Sequence, residues 1–151
     1  MQLTRAADYG VRVMIHLAGL PPGTRISHFE IAKAVECPVA FLAKVLQRLT
    51  RAGLITAHRG NAGGVELPEV HRQASMLTVM EAIEGPLRLN LCLESENSCS
   101  RQGWCPAHTV WTEGQIALAN ILRTATVGQL ADRAAAARKA FVTLPERKPW
   151  N

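Results

Sequence analysis

Between residues 3 and 20, Ala6, Tyr9, Val13, Leu17 and Leu20 recur at steps of three and four, the stripe of an amphipathic helix. Pro21-Pro22-Gly23 ends it. Ser27 and Glu30 have the spacing of a capping box and open a short second helix with Ile31, Ala34 and Val35 on its inner face. Cys37-Pro38 breaks that helix and begins a third, because proline is tolerated in a first helical turn. The third is expected over residues 38–51, with Leu42, Val45, Leu46 and Leu49 buried, Ala40, Lys44, Gln47, Arg48 and Arg51 outside, and Gly53 as its stop. Residues 55–58 and 65–67 flank a glycine-rich turn and predict a two-stranded hairpin with Arg59 at its tip.

Further on, Thr78 and Glu81 repeat the capping-box spacing and predict the start of a short helix that ends at Gly85-Pro86. Residues 87–106 show no period. A long helix is expected over 107–126, with Trp111, Leu118, Ile121 and Leu122 as its apolar stripe, and a last one over 127–140. The predicted fold is mainly α. It places a winged helix-turn-helix with a two-stranded wing in residues 1–75, and a short helix, a cysteine-bearing loop and a long dimerisation helix in 76–140. Residues 141–151 form a tail containing Pro145 and Pro149.

A chain of 151 residues, 48% of them hydrophobic, is long enough for one domain that buries roughly two-thirds of its unfolded surface. Apolar runs stop well short of the roughly 20 residues that cross a bilayer, and Asp8 and Arg12 interrupt the position of a signal peptide. The expectation is a soluble, cytoplasmic protein with no membrane partner. Net charge is +5, and its distribution carries the information. Residues 1–65 hold eight Lys and Arg against three Asp and Glu, whereas residues 66–151 hold nine of each. An excess confined to one half is the footprint of a polyanion-binding unit joined to a neutral unit with another task.

In a helix-turn-helix the second helix of the motif enters the major groove. Lys44, Arg48 and Arg51 would neutralise phosphates or donate to guanine, Gln47 would pair with adenine, and Arg59 would enter a minor groove. With Arg5 and the methyl group of Ala40, these make the candidate set for contacting double-stranded DNA. An ordinary solvated face also carries Lys and Arg; the charge segregation and the wing argue against that reading.

Cys92, Cys99 and Cys105 lie within fourteen residues, and His108 follows three positions later. Three thiolates and an imidazole complete either a zinc site or an iron–sulfur site. Structural zinc sites favour tight C-x2-C knuckles, whereas the gaps here, six and five residues, fit a bulkier cluster better. A thiol switch without metal is the third reading of these cysteines, and Cys37 reads as a small buried residue. An enzyme or electron carrier is disfavoured, because there is no nucleotide-binding glycine loop, no nucleophile motif and no second cluster.

The opening MQLTRAADYGVRVMIHLA, the wing AHRGNAGGVEL, the loop segment CPAHTVW and the late TVGQLAD together resemble the Rrf superfamily of winged-helix transcriptional regulators, over roughly residues 1–135. Within it the likeness is to the iron–sulfur cluster regulator IscR and the nitric-oxide sensor NsrR. The resemblance implies a homodimeric repressor that binds a pseudo-palindromic operator and uses an iron–sulfur cluster to sense redox state, nitric oxide or cluster supply. It carries over Cys92, Cys99 and Cys105 as ligands. IscR-like members add a histidine that matches His108 and implies 2Fe–2S; NsrR-like members add an aspartate that matches Asp8 of the partner subunit and implies 4Fe–4S. The joint match of Cys105, His108 and Trp111 favours His108.

Overall fold

The computed structural model describes residues 4–60 and 63–142. Six α-helices and one small sheet make up its regular structure. Helix α1 (Arg5–Ala18) begins at Thr4, whose hydroxyl accepts from the Ala7 N–H at 3.2 Å. Asp8 sits in the first turn, where the helix dipole favours a carboxylate, and pairs with Arg12 at 2.9 Å. The buried face is wider than the periodicity predicted: Ala7, Gly10, Val13, Met14, Leu17 and Ala18 are buried, whereas Ala6 and Tyr9 are half-buried. The reason is position, since α1 is the central helix, with α2, α3, α4 and α6 packed along it.

Helix α2 (His28–Val35) starts at the predicted capping box, with Ser27 N–H donating to Glu30 Oε2 at 3.0 Å and Glu30 N–H to Ser27 Oγ at 3.3 Å. The Ser27 hydrogen bonds also hold the Glu30 carboxyl below its ordinary range. Glu36 takes a left-handed conformation, φ 55°, and turns the chain into helix α3 (Val39–Arg51). Leu42, Val45, Leu46 and Leu49 of α3 are buried, as its pattern predicts.

Strands β1 (Thr56–His58) and β2 (Gly64–Glu66) pair antiparallel, with Ala57 opposite Val65. Ile26 extends this sheet by one bridge, exchanging two backbone hydrogen bonds of 3.0 and 2.9 Å with Val65. At the turn, a Cβ on Gly63 would lie 2.5 Å from the His58 carbonyl oxygen, so only glycine closes the hairpin this tightly. Of the predicted turn, Asn61 and Ala62 lie outside the described residues, as does the tail from 143 onward.

Helix α4 (Met76–Glu84) starts earlier than the Thr78–Glu81 spacing suggests. Ser75 is the cap: it is held extended by Met76 N–H to Ala125 O at 2.8 Å and Val127 N–H to Ala74 O at 2.9 Å, and its Oγ accepts from Thr78 N–H at 3.0 Å. The Glu81 carboxylate accepts from Leu87 N–H at 3.1 Å instead. Helices α5 (Pro106–Thr124) and α6 (Val127–Val142) follow the cysteine-bearing segment.

One core crosses the 75/76 boundary. Val79, Ile83, Val127 and Ala131 pack among the buried residues of α1, α2, α3 and β2. A smaller cluster of Ala7, Leu77, Met80 and Leu122 seats α5 on α1 and α4. Where α1 crosses α4, a Cβ on Gly10 would lie 3.0 Å from Ile83 Cγ1, so this close approach depends on glycine. Arg72 ties the first half to the last helix: it donates to the Ala18 carbonyl at the end of α1 and pairs with Asp132 of α6 at 3.6 Å.

Candidate nucleic-acid interface and cysteine loop

Burying the leucine stripe of α3 turns Ala40, Lys44, Gln47, Arg48 and Arg51 to solvent. A groove of about 450 Å³ runs between α3, the start of α2 and the hairpin, lined by Gln47, Arg51, Ala43, Thr50, His28 and Ala57. The sequence reading missed His28 and Thr50. Thr50 lies three residues after Gln47 and so shares its face, and His28 is the first residue after a cap that the sequence did identify.

The basic residues differ in what they touch. Arg48 donates through Nη1 to the Ile83 carbonyl at the end of α4 and lies 3.9 Å from the Glu84 carboxylate. Its guanidinium thereby complements the negative end of that helix. Arg59 is exposed beside the hairpin turn, and Arg5 is exposed at the start of α1. On the hairpin itself, Glu66 Oε2 receives His58 Nε2 at 2.9 Å and Arg25 Nε at 3.5 Å, tying the strands to the segment before α2.

The segment between α4 and α5 is held by short local hydrogen bonds, by a 3-10 turn at Leu91–Leu93 and by Leu89 N–H donating to Gln115 Oε1 of α5 at 3.0 Å. Cys92, Cys99 and Cys105 are free thiols, all half-buried. Cys105 is the residue before α5, and Pro106 supplies the helix's first turn without a wasted N–H. A hollow of about 380 Å³ opens beside Cys99, lined by Glu96, Asn97, Ser100, Gln102 and Gly103. His108 stands in the first turn of α5, and its Nε2 is buried without a hydrogen-bond partner. The structure brings these four side chains into one segment but does not bring them to one point: among the described residues no three Cys, His, Asp or Glu side chains converge at metal-binding separation.

Cys37 is buried in the core, and burial pushes its thiol up from the ordinary range. No helix among the described residues is long and apolar enough to cross a membrane.

The Rrf2 family, described as iron-dependent transcriptional regulators, matches residues 3–133. The chain belongs to the Rrf2 family. A Rhizobium meliloti relative, protein aau3, is 32% identical over 132 residues, covering 86% of this chain and 84% of its own. Among solved structures, the oxidized form of Staphylococcus aureus CymR aligns with a TM-score of 0.69 at 26% identity, covering 87% of this chain and 96% of its own. IscR of T. potens shares the fold, with a TM-score of 0.70 at 21% identity over 97% of this chain and 94% of its own. The winged-helix architecture and the assignment to DNA-binding transcriptional regulators rather than enzymes therefore rest on the Rrf2 match and on the fold together.

Proposed function

We propose that this Rrf2 protein is a cytoplasmic, homodimeric repressor whose grip on a pseudo-palindromic operator is set by an iron–sulfur cluster held in the segment 87–108. The observation that carries the reading is the buried, unpartnered Nε2 of His108 in the same chain segment as three half-buried free thiols. A buried ring nitrogen without a partner costs free energy that a ligand bond would offset. Cys92, Cys99, Cys105 and His108 would hold a 2Fe–2S cluster. Asp8 of the partner subunit is the alternative fourth ligand, with 4Fe–4S, but its counterpart in this chain already pairs with Arg12 at 2.9 Å.

A bound cluster supplies one-electron chemistry and a target for nitric oxide. Gathering the four side chains orders the segment around them, because ligand convergence and local folding are coupled. Leu89 and Gln115 link that segment to α5, and Leu118 and Leu122 link α5 to α1 and α4. The predicted stripe of α5 therefore divides. Leu118 and Leu122 serve the chain's own packing, whereas Trp111 and Ile121 are exposed. Ile121 lies on an exposed seam with Val110, Gly114 and Ala117, at steps of four, three and four. That spacing and the small central residues suit close pairing with the same helix of a second copy. Paired copies would set two α3 helices about one DNA turn apart.

On the DNA side, Lys44→Ala and Arg51→Ala are each expected to reduce the salt slope of operator binding by up to about one counterion. Arg59→Ala is expected to weaken binding by about 1–3 kcal/mol without changing iron content. Arg48→Ala should instead lower unfolding stability by about 1–2 kcal/mol, since it removes the donor to the α4 end. Fluorescence anisotropy across a salt series, paired with urea melts, separates the two kinds of arginine. A full salt-slope change for Arg48 with no stability loss would return it to the phosphate contacts.

A thiol switch is a second reading, favoured by the three unassembled thiols and by the likeness to a regulator solved in an oxidized form. Paired substitutions test the cluster reading. With a His108 ligand, His108→Ala alters the visible spectrum and shortens cluster lifetime, and Asp8→Ala leaves both as they were. The reverse outcome assigns the fourth position to Asp8 of the partner subunit. An iron-free protein whose thiols oxidise to a disulfide supports the switch.

A further inference from the structure

A second cleft lies away from both the DNA-facing groove and the cysteine segment. It measures about 450 Å³ and runs between α1, the end of α2 and α6. That volume is in the range of small-molecule sites. Its walls mix polar and apolar surface, the apolar part coming from Ile15 of α1, Leu20 just beyond that helix, Val35 of α2, and Ala131 and Ala135 of α6. Four titratable side chains line it as well: Arg12, His16, Glu36 and Arg138.

His16 Nε2 is buried and has no hydrogen-bond partner. Burial, and then the Arg138 guanidinium, hold the His16 ring below its ordinary range, so it enters neutral near pH 7. Two guanidiniums against one carboxylate leave a single positive charge among the lining residues. The Arg12–Asp8 pair does not consume Arg12, because its partner is half exposed and a guanidinium carries five N–H donors.

We propose that this cleft binds a small organic monocarboxylate, with its carboxylate against Arg138, Arg12 and the His16 ring, and its apolar body along Ile15, Val35 and the α6 alanines. A multiply charged anion is disfavoured by Glu36, whose carboxylate would repel it, and by the single net positive charge of the lining. A neutral hydrocarbon leaves His16 Nε2 and both guanidiniums unanswered. The position gives the site a consequence. Glu36 is the left-handed residue that turns α2 toward α3, and its carbonyl accepts the Tyr9 hydroxyl at 3.4 Å. A ligand bridging α1, α6 and this turn stabilises one setting of α3 over others, which makes the site an effector site for DNA binding.

Calorimetric titration of the full chain with sodium octanoate tests this, with octan-1-ol as the neutral probe and inorganic phosphate as the bare anion. Octanoate is expected to saturate and to bind about tenfold tighter, or more, than either. Arg138→Gln should weaken octanoate about tenfold or more, and Ala135→Trp should abolish it by filling the cleft. Both positions are exposed on α6, so circular dichroism should show both variants folded. Octanoate binding that is absent, no tighter than octanol, weaker than phosphate, or unchanged in both variants overturns the proposal.

Discussion

Cys92→Ala, Cys99→Ala and Cys105→Ala are each expected to give colourless protein after anaerobic purification, with helical content unchanged. Loss of one thiolate leaves a cluster with too few ligands, so the effect on colour is close to complete rather than graded. Compared with iron-free parent protein, stability should barely move, because all three thiols are half-buried on a segment outside the main core. Cys37→Ala is the control with the opposite signature. Its side chain belongs to the core, so the variant should keep its visible absorption while its melting temperature falls. Visible absorption that survives any one of the three loop substitutions removes that cysteine from the ligand set.

The second large effect lies beneath the reading face. Leu49 is fully buried, 0% exposed, on the α3 side opposite Gln47 and Arg51. Leu49→Ala should cost about 2–5 kcal/mol in urea unfolding, from lost transfer energy and the cavity left behind. That is a large fraction of the roughly 5–15 kcal/mol that holds a domain of this size together. Thr50→Ala, one residue on and exposed, should stay within about 0.5 kcal/mol of the parent protein. Equal costs at the two positions would mean that α3 is not seated as described.

The winged half was legible because its signals are local. The leucine stripe of α3, the Ser27–Glu30 box and the glycine-rich hairpin each announce themselves over a few residues, and the structure places each where the pattern predicts. What was not legible depends on contacts distant in the chain. Thr78 and Glu81 imitate a capping box, but Ser75 is the cap because Ala125 and Val127 hold its flanks extended. Arg48 looks like its basic neighbours, yet α4 supplies an acceptor for it at Ile83. The α5 stripe mixed two faces, since Leu118 and Leu122 meet α1 and α4 while Ile121 stays exposed. Spacing within a helix shows which residues share a face, and only the neighbouring elements decide which face is covered.

In the segment 87–108, the clustering of three cysteines and a histidine was readable, and the unpartnered Nε2 of His108 was not. The cleft between α1 and α6 was equally hidden. Its residues come from positions 12–20, 34–36 and 131–138, and no periodicity links them.

In the proposed mechanism one chain both binds DNA through α3 and its wing and sets that binding with an iron–sulfur cluster. It is tested most directly by an anaerobic titration of a duplex, selected by the protein from a random pool, against the purified protein and against the same sample after its iron is removed. The expected result is a coloured protein with about two irons per chain, whose affinity for the duplex changes about tenfold or more when the iron leaves. A colourless protein, or one that binds the duplex equally well in both forms, would contradict the claim.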